Sequence, residues 1–452
     1  MSDRSLTNSL THNDPVITVV GGGFAGVEAA WAAAQRGARV RLMEMRPARM
    51  TPAHTTGLLC ELVCSNSLKS KSPTSPGGLL KAEMVALGSL VVPTAEGNCV
   101  PGGEALAVDR EAFAREITET ISSHPNVELV RFEVTGDEVE AALKEGPVIL
   151  ATGPLTSPTL AEWLAHRTGR EHLYFYDAVS PTVEASSVDA AISFAQSRYD
   201  KGGDDYLNCP FDKEQYLAFV RELVAAERTP LHEFEEGKYF AGCTPIEEIA
   251  SKGERSLAFG NFKPVGLTDP RTGRRPCAAL QLRPENRERT LYSLVACQTR
   301  LKWGEQKRVF SMVPGLANAE FVRLGVIHRN TYIEAPKVLQ PWLELRETPG
   351  LFVAGQLTGV EGYVESAAMG ILAGIAAVRG DRPVPPRETA FGSLVAHLQD
   401  DTPREFAPMN VNWGLLPDPP GTFRDKGLKR EAKLEAAHCA FEGWARSMVG
   451  AL

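Results

Sequence analysis

Residues 16 to 26 read Val16-Ile17-Thr18-Val19-Val20-Gly21-Gly22-Gly23-Phe24-Ala25-Gly26, a β-branched run that ends in a glycine-rich turn. An alanine-rich segment follows from 27 to 35, then a second apolar run from 39 to 43 that closes on Glu44. This order of strand, glycine turn, helix and strand is typical of a dinucleotide-binding fold. We therefore predict a Rossmann-like α/β domain.

The glycines of this turn each have a physical reason. Gly21 permits the tight turn, Gly23 lets the backbone approach a pyrophosphate, and Gly26 lets the helix pack closely on the sheet. The helix N-terminus offers N–H donors to the phosphates. Glu44 lies 23 residues after Gly21, where a carboxylate can accept hydrogen bonds from ribose hydroxyls. The predicted cofactor residues in this half of the site are Gly21, Gly22, Gly23, Phe24, Ala25, Gly26, Glu44, Met45 and Arg46.

Two later segments extend the nucleotide domain. Residues 147–153 read as a buried strand ending in an Ala-Thr-Gly turn, and residues 351–356 read as another strand, followed by a helix rich in glycine and alanine. Strands near both ends of the chain imply one domain interrupted by an insertion. The two turns resemble those of two-dinucleotide-binding flavoproteins, which favours FAD over NAD as the tightly held cofactor. The candidate residues here are Thr152, Gly153, Gly355, Gln356, Gly362 and Tyr363.

The pattern changes between these segments. From about 186 to 319 the sequence is richer in aromatic and basic residues, which predicts a separate mixed α/β domain. We place the first part of the FAD-binding domain at 1–185, the insertion domain at 186–324, and the second part with a C-terminal helix at 325–452. Residues 428–449 are amphipathic, as in a helix that packs on the body of a protein.

Charge is distributed unevenly along the chain. The net charge of -8 over 452 residues argues against a nucleic-acid partner, because phosphate binding depends on Lys and Arg. Residues 251–330, however, carry fifteen basic and six acidic side chains, which gives +9 there and -17 elsewhere. Such a face can hold a polyanion, and Trp303, Phe310 and Phe321 could stack on bases; a solvated surface of Arg–Glu pairs is the alternative. The RNA-binding candidates are Lys263, Arg283, Arg300, Lys302 and Arg308.

The eight cysteines form no CxxC pair, and the N-terminus has no apolar signal core. No apolar run reaches the roughly 18 to 20 residues of a membrane helix. We therefore expect a soluble cytoplasmic protein with free thiols and no membrane partner. No cluster of His, Cys, Asp or Glu has the spacing of a metal site, so no metal is predicted.

Two cysteines are candidates for chemistry. Cys64 lies in a loop shortly after the second strand, where it could cover a flavin ring, and Cys243 has small neighbours that would leave its sulfur accessible. A thiolate is the natural nucleophile for C6 of a uracil, and its addition makes C5 nucleophilic toward an electrophilic one-carbon unit. The alternative for each is an inert buried thiol, which is what most cysteines are.

The chain resembles the TrmFO family, once called Gid, from about residue 16 to residue 430. The motifs that carry the resemblance are VVGGGFAGVEAAW at 19–31, TPAH at 51–54, ELVCSNS at 61–67, AVDR at 107–110, LYFYDA at 173–178, SRYDKG at 197–202, YLNCP at 206–210, KPVGL at 263–267, LKWGEQK at 301–307, HRNTYI at 328–333, GVEGYVESAA at 359–368 and PMNVN at 408–412. The combination is specific to that family, which is related to GidA.

The resemblance implies a cytoplasmic bacterial flavoprotein that makes 5-methyluridine at position 54 of the tRNA T-loop. Methylenetetrahydrofolate would donate the carbon, and FAD, reduced by NAD(P)H, would supply the reducing equivalents. Cys243 would be the nucleophile toward uracil, and Cys64 would lie beside the flavin. Folate is an anion, so part of the basic surface could serve it as well. A monomer or weak dimer is expected.

The chain also departs from the family pattern, at Thr55, Gly57, Glu104, Cys277, Cys297, Arg300 and Met369. Four alternatives stay open: a same-fold enzyme that methylates a ribosomal RNA uridine, a relative of the GidA wobble-uridine enzymes, a flavin- and RNA-binding protein without methylation, and a flavoprotein that does not act on RNA. The second normally carries a long C-terminal helical region, for which 452 residues leave little room.

Overall fold

The computed structural model describes residues 15–170, 173–200, 203–230, 244–380, 382–402, 406–421, 423 and 425–449. Its strands are β1 (Val16–Val20), β2 (Arg39–Glu44), β3 (Ser67–Ser70), β4 (Cys99–Val100), β5 (Ala105–Val108), β6 (Val127–Arg131), β7 (Val148–Leu150), β8 (Leu173–Ala178), β9 (Thr182–Glu184), β10 (Phe194–Ala195), β11 (Leu207–Phe211), β12 (Ala278–Pro284), β13 (Leu291–Leu294), β14 (Phe321–Arg323), β15 (Ile327–Tyr332) and β16 (Leu351–Val353). Its helices are α1 (Phe24–Ala34), α2 (Pro76–Ala86), α3 (Val91–Gly97), α4 (Arg110–Ser123), α5 (Gly136–Ala142), α6 (Pro158–Thr168), α7 (Lys213–Ala225), α8 (Ile246–Ala250), α9 (Ser256–Phe259), α10 (Trp303–Phe310), α11 (Ala335–Val338), α12 (Tyr363–Val378), α13 (Ala390–Leu398) and α14 (Lys426–Val449).

A five-stranded parallel sheet forms the centre of the first domain. Its order is β16-β7-β1-β2-β6, so the strand before the glycine turn lies in the middle and strands from both ends of the chain meet there. Four of the five residues of β1 are buried, as expected for a strand covered on both faces. The predicted Rossmann-like α/β class is confirmed.

Helix α12 packs on α1 at unusually close range. A Cβ added at Gly370 would lie 2.1 Å from the Ala25 carbonyl oxygen, and one at Gly374 would lie 2.4 Å from that of Ala29. Only glycine allows the two backbones to approach this closely. The close packing brings the N-terminus of α12, and with it Tyr363, to the end of α1 where the glycine turn lies.

The insertion contains an antiparallel sheet of order β10-β11-β12-β13-β9-β14. Helices α7 and α10 contribute to a separate apolar core with Phe211, Phe219 and Phe262, whose rings lie 5.4 to 6.0 Å apart. The chain leaves and re-enters the first domain through β8 and β15, which pair antiparallel. Strand β9 belongs to the insertion sheet, although it lies just before the expected boundary at residue 186.

The C-terminal helix α14 lies against the body of the first domain. Trp444 contacts the rings of Trp342 and Phe391 at centroid distances of 6.4 and 6.5 Å, and its indole N–H donates to the Pro383 carbonyl at 2.8 Å. The amphipathic pattern of residues 428–449 predicted this packing.

Candidate active site

A cavity that opens to solvent, with about 1030 Å³ of empty space including the solvent at its mouth, lies at the carboxyl ends of the parallel strands, between the glycine turn and the segments after β2, β7 and β16. Ligands of open α/β sheets bind at this edge. The predicted cofactor residues Gly26 and Gly362 do not line the cavity; the former packs against the turn and the latter precedes α12. The other predicted cofactor residues all line it: Gly21, Gly22, Gly23, Phe24, Ala25, Glu44, Met45, Arg46, Thr152, Gly153, Gly355, Gln356 and Tyr363.

The glycine turn makes one wall of the cavity from bare backbone. Gly21 has a φ of +104°, and its N–H donates to the Met43 carbonyl at 2.7 Å. A Cβ at Gly26 would lie 1.7 Å from the Gly21 oxygen, whereas one at Gly23 would meet nothing within 4 Å and would enter the cavity. Gly26 is thus required by packing, and Gly23 keeps open a backbone cradle at the N-terminus of α1, as a pyrophosphate needs.

Glu44 is buried at the end of β2, where its carboxylate is held by the protein itself. Its Oε2 accepts from the Gly22 N–H at 2.7 Å, and its Oε1 accepts from both the backbone N–H and the Nε of Arg46 at 2.9 Å. Burial alone would raise the pKa of Glu44, but the hydrogen bonds and charge of Arg46 outweigh it and hold the pKa below its ordinary value. The carboxylate is therefore ionised, and it fixes the glycine turn.

The opposite wall comes from the turns after β7 and β16. Gly153 and Gly355 have φ values of +67° and +77°, and the hydroxyls of Thr152 and Thr156 lie 2.6 Å apart. The Gln356 amide donates to Glu361 at 2.6 Å. A backbone cradle, a buried carboxylate and a second wall of glycine turns together fit a bound dinucleotide.

Cys64 lies beside this cavity and contacts Tyr363. The Tyr363 hydroxyl oxygen accepts from the backbone N–H groups of Val63 and Cys64, each at 2.9 Å, and lies 3.0 Å from Cys64 Sγ. Those two bonds use both lone pairs of the oxygen, so the O–H is left to donate to the sulfur. Burial, reinforced by Cys64, raises the pKa of Tyr363 well above its ordinary value, so the phenol stays protonated.

Two charged groups near Cys64 were not among the site residues predicted from sequence. Arg110, the first residue of α4, donates to the Leu62 carbonyl and is paired with Glu285, which follows β12. Burial would raise the pKa of Glu285, but the charge of Arg110 outweighs it, and the pKa is lowered. The AVDR motif at 107–110 was the available signal for Arg110, whereas its partner 175 residues away had none.

The cavity lining contains further side chains that were not predicted, among them Thr51, His54 and Phe132. The Thr51 hydroxyl lies 2.6 Å from His54 Nδ1, which fixes the ring beside the cavity. The TPAH motif at 51–54 was the signal available for the first two. Phe132 is 45 % exposed at the end of β6, and nothing in its local sequence distinguishes it.

The structure pairs most of the predicted RNA-binding cations with carboxylates. Arg300 contacts Glu248 at 2.8 Å, Lys302 contacts Glu227 at 2.6 Å, and Arg308 contacts Glu222 and Glu305 at 2.5 and 2.8 Å. Lys263 is exposed, with no ion pair to any described residue. Arg283 points instead to the Cys64 segment, donating to Ser65 Oγ at 3.0 Å.

One expected stacking residue is corrected by the structure. Phe310 is fully buried in the insertion core, because α10 turns its apolar face inward, so it cannot stack on a base. Trp303, on the same helix, is 64 % exposed, and Phe321 is half-buried. Cys243, the second candidate nucleophile, lies outside the described residues.

Within the described part of the chain, the seven cysteines are free and no group of three or more His, Cys, Asp or Glu side chains is placed to hold a metal ion. No single helix there is long and apolar enough to cross a membrane, although α2 and α3, bent by 112°, pass that test as a pair.

Comparison with known proteins gives consistent family matches. The model of the family described as "Glucose inhibited division protein A" matches residues 16–382. Curated proteins named "Methylenetetrahydrofolate--tRNA-(uracil-5-)-methyltransferase TrmFO" are similar over nearly their whole length. The protein from Moorella thermoacetica is 53 % identical over 96 % of this chain and 98 % of its own, and the protein from Geobacter sulfurreducens is 54 % identical over 95 % and 98 %.

Among solved structures, this chain is similar to Aquifex aeolicus GidA, with a TM-score of 0.67 and 16 % identity over 97 % of this chain and 74 % of that one. At that identity the likeness concerns the fold alone. It agrees with the Rossmann-like sheet. The near-complete match to the curated relatives is decisive for the family: the chain belongs to the TrmFO family.

Proposed function

We propose that this protein methylates C5 of a uridine in tRNA, with methylenetetrahydrofolate as carbon donor, FAD as cofactor and NAD(P)H as reductant. The observation that carries the proposal is the identity of more than half over nearly the whole chain with TrmFO proteins named for this reaction. The cavity supports it, because its lining fits a dinucleotide and has a thiol beside it. We place the target in the T-loop, at position 54.

The chain's own groups would hold FAD in the large cavity. The turn around Gly23 and the N-terminus of α1 would bind the pyrophosphate, and the Glu44–Arg46 pair would shape the ribose end. The Gly153 and Gly355 turns would flank the remainder. When bound and reduced, FAD supplies the electrons that convert a transferred methylene carbon into a methyl group.

We infer that the thiols divide the work on the uracil. Cys243 would add to C6, which makes C5 nucleophilic toward the one-carbon unit; loss of the C5 proton and departure of the sulfur from C6 would then restore the ring. Cys64 would stand at the cavity beside the transferred carbon, with Tyr363 holding its sulfur in place. Lys263 and Trp303 are exposed on the insertion and would contact the RNA.

We also propose the division into an FAD-binding domain, in two parts, and an insertion that carries the RNA face. The separate apolar cores of the two sheets support it. The insertion would begin at β9 rather than at residue 186, because β9 is hydrogen-bonded within the insertion sheet. A cytoplasmic location and a monomer or weak dimer complete the proposal.

The test is methyl transfer in vitro. Purified protein is incubated with labelled methylenetetrahydrofolate, NADPH and tRNA that lacks 5-methyluridine, and the nucleosides are analysed by mass spectrometry. Label at C5 of the T-loop uridine is expected. Absence of label, in a preparation that contains flavin, would overturn the proposal.

Two controls sharpen this assay. The first replaces tRNA with ribosomal RNA, which distinguishes a tRNA methyltransferase from a same-fold enzyme that methylates ribosomal RNA, since only the true substrate takes up label. Cys243→Ala should keep the bound flavin but abolish methyl transfer, whereas Cys439→Ala, on an exposed site of α14, should keep both the flavin and the transfer. Turnover by Cys243→Ala would remove that residue from the nucleophile role.

A further inference from the structure

Three arginines meet around Glu285 where the insertion sheet approaches the Cys64 segment, and we call Arg110, Arg283 and Arg323 the arginine cluster. Arg110 is paired with Glu285, and Arg323 lies 3.6 Å from the same carboxylate. Arg283 lies two residues before Glu285, near the C-terminal end of β12, and interacts with it electrostatically. The cluster therefore joins residues from α4, β12 and β14.

The cluster carries more positive charge than its surroundings neutralise. Glu285 is the one carboxylate in salt-bridge contact with these arginines among the described residues, so three cations share a single anion. The Glu285 side chain is 4 % exposed and that of Arg110 is 16 % exposed, so solvent screens them poorly. Buried charges are normally paired, because desolvation is costly, and a net charge near +2 at such a place favours an anionic ligand.

Two donors of the cluster are unused. The Nε atoms of Arg283 and Arg323 are buried and have no hydrogen-bond partner in the part of the chain that the structure describes. Buried polar groups nearly always have partners in folded proteins. The Arg323 side chain is nevertheless 33 % exposed, so the cluster is open on that side to an incoming ligand.

The position of the arginine cluster beside the Cys64 segment indicates which anion it would bind. The segment from Leu62 to Ser65 lines the large cavity through Val63 and contacts the cluster through the Leu62 carbonyl and Ser65 Oγ. Cys64 lies within this segment. A nucleotide whose base reaches Cys64 thus brings its sugar–phosphate backbone close to the arginines, and the guanidinium fork matches phosphate oxygens in geometry as well as charge.

We propose that the arginine cluster binds a backbone phosphate next to the uridine that enters the cavity. This rests on the proposed function, since it requires an RNA substrate. One phosphodiester carries one negative charge, which the net positive charge of the cluster accommodates. The cluster is then a phosphate clamp between the two domains, distinct from the exposed cations of α10.

The first test is the salt dependence of tRNA binding by Arg323→Gln. Loss of one phosphate contact should weaken binding about tenfold at fixed salt and reduce the slope of log Kd against log salt by about 0.7. Arg41→Gln is the matched control, because it removes the same charge from β2, where Arg41 pairs with Glu128 and Glu145. That control should leave both quantities unchanged.

The second test changes the RNA instead of the protein, and so does not depend on the variant folding. The modified RNA is a T-arm stem-loop with a neutral methylphosphonate beside the target uridine. Wild-type protein should bind it about tenfold more weakly than it binds the unmodified stem-loop. Arg323→Gln, which already lacks the contact, should bind the two RNAs equally well. Additive losses would place the phosphate contact elsewhere and overturn the inference.

The third measurement separates the source of the anion, because folate also carries carboxylates. If Arg323→Gln raised the KM for methylenetetrahydrofolate while tRNA affinity and salt slope stayed as in wild type, the cluster would be a folate site and the inference would be wrong. Wild-type methylation of the unmodified RNA is measured first. Its absence would overturn the proposed function itself, whereas its presence with an unaffected Arg323→Gln would overturn the clamp alone.

Discussion

The hydroxyl of Tyr363 makes all of its hydrogen bonds to the segment that carries Cys64. It accepts two backbone N–H groups and donates to the sulfur, and the residue starts α12, which is anchored on α1. Its ring also stacks on Phe24 at a centroid distance of 4.6 Å. One side chain therefore connects the cysteine loop to the glycine turn.

Tyr363→Phe should slow methyl transfer about tenfold while flavin content is retained, because the ring packing survives but the sulfur and two N–H groups lose their partner. The measurement is the rate of label transfer per bound flavin. Tyr216→Phe is the control, since that buried hydroxyl also accepts a backbone N–H, from Ala258 at 3.1 Å, but lies in the insertion core. A Tyr363→Phe rate within twofold of wild type would contradict the prediction.

At this scale, local chemistry is predictable from sequence and distant pairing is not. The Gly21–Gly26 turn and Glu44 follow from spacing within one βαβ unit, and the structure places them as expected around the cavity. What the Glu44 carboxylate contacts was not foreseen, because the Arg46 side chain folds back on it only in three dimensions. The pairing of Arg110 with Glu285 spans 175 residues and leaves no local pattern.

Two glycines of the turn before and within α1 have different roles, which variants can separate: Gly23 leaves room for the cofactor, and Gly26 allows the backbone to pack closely. Gly23→Val should leave the fold intact and strip FAD, because the new side chain enters the open cavity where the pyrophosphate would lie. Flavin absorbance of the purified variant, together with its urea unfolding midpoint, checks both parts. Unchanged flavin content would refute the assignment of Gly23.

Gly26→Ala is the counterpart and should act in the opposite way. Its Cβ would lie 1.7 Å from the Gly21 carbonyl oxygen, so backbone must shift, at a cost on the order of 3 kcal/mol of unfolding free energy. Any loss of flavin in this variant should follow the loss of stability. A variant as stable as wild type would show that α1 can move away from the turn.

A buried carboxylate joins α2 to α13. Glu83 accepts from the backbone N–H groups of Ala390 and Phe391 at 2.8 and 2.9 Å, and so caps the start of α13. Burial raises its pKa from 4.5 to about 8. Because the folded state holds this proton more tightly than the unfolded state, its contribution to stability is full below about pH 4.5 and falls as the pH rises toward 8.

Glu83→Gln should therefore flatten part of the pH dependence of stability. The variant loses a cap hydrogen bond at every pH. Between pH 5.5 and pH 8.5, however, the free energy of unfolding of wild type should fall by a few kcal/mol relative to that of the variant. Urea unfolding at the two pH values measures this shift. The exposed Glu119→Gln should show no such shift, and parallel curves for Glu83→Gln would refute the assignment.

The elements themselves were predictable to different degrees. Apolar runs and glycines predict α1 and four of the five parallel strands, β1, β2, β7 and β16, whereas β6 was not predicted. The small sheet of β3, β5 and β4 was not predicted either, because its strands have only two to four residues and β3 pairs antiparallel with β5, 35 to 40 positions further along. Tertiary packing, not local propensity, decides such short strands.

Across the whole molecule, counting charge along the sequence overstated the basic face. The +9 of residues 251–330 is partly neutralised by acids from elsewhere, notably Glu222 and Glu227 on and just after α7. The prediction of charge segregation took no account of these acids, because folding brings together residues that are 75 and 86 positions apart. The cations left with unmatched charge include those of the arginine cluster.

Removing those acids should strengthen RNA binding. The double variant Glu222→Gln with Glu227→Gln frees Lys302 and leaves Arg308 paired with Glu305 alone. Surface pairs contribute little to stability, so the fold should persist. Binding to tRNA at low salt should tighten by about threefold to tenfold, and the gain should vanish at high salt. Glu111→Gln, which frees the exposed Arg115 on α4, is the control. Unaltered affinity would exclude the α10 face from the RNA contact.

The order of the five-stranded sheet has a consequence for synthesis on the ribosome. Strand β7 pairs on one side with β16, which lies about 200 residues further along the chain. Translation at about 5 to 20 residues per second separates the two strands by roughly 10 to 40 seconds. All strands of the antiparallel insertion sheet are synthesised before β16, so that sheet can fold first. During this time the edge of β7 that will pair with β16 stays exposed. Newly made chains should therefore need protection at that edge until β16 emerges.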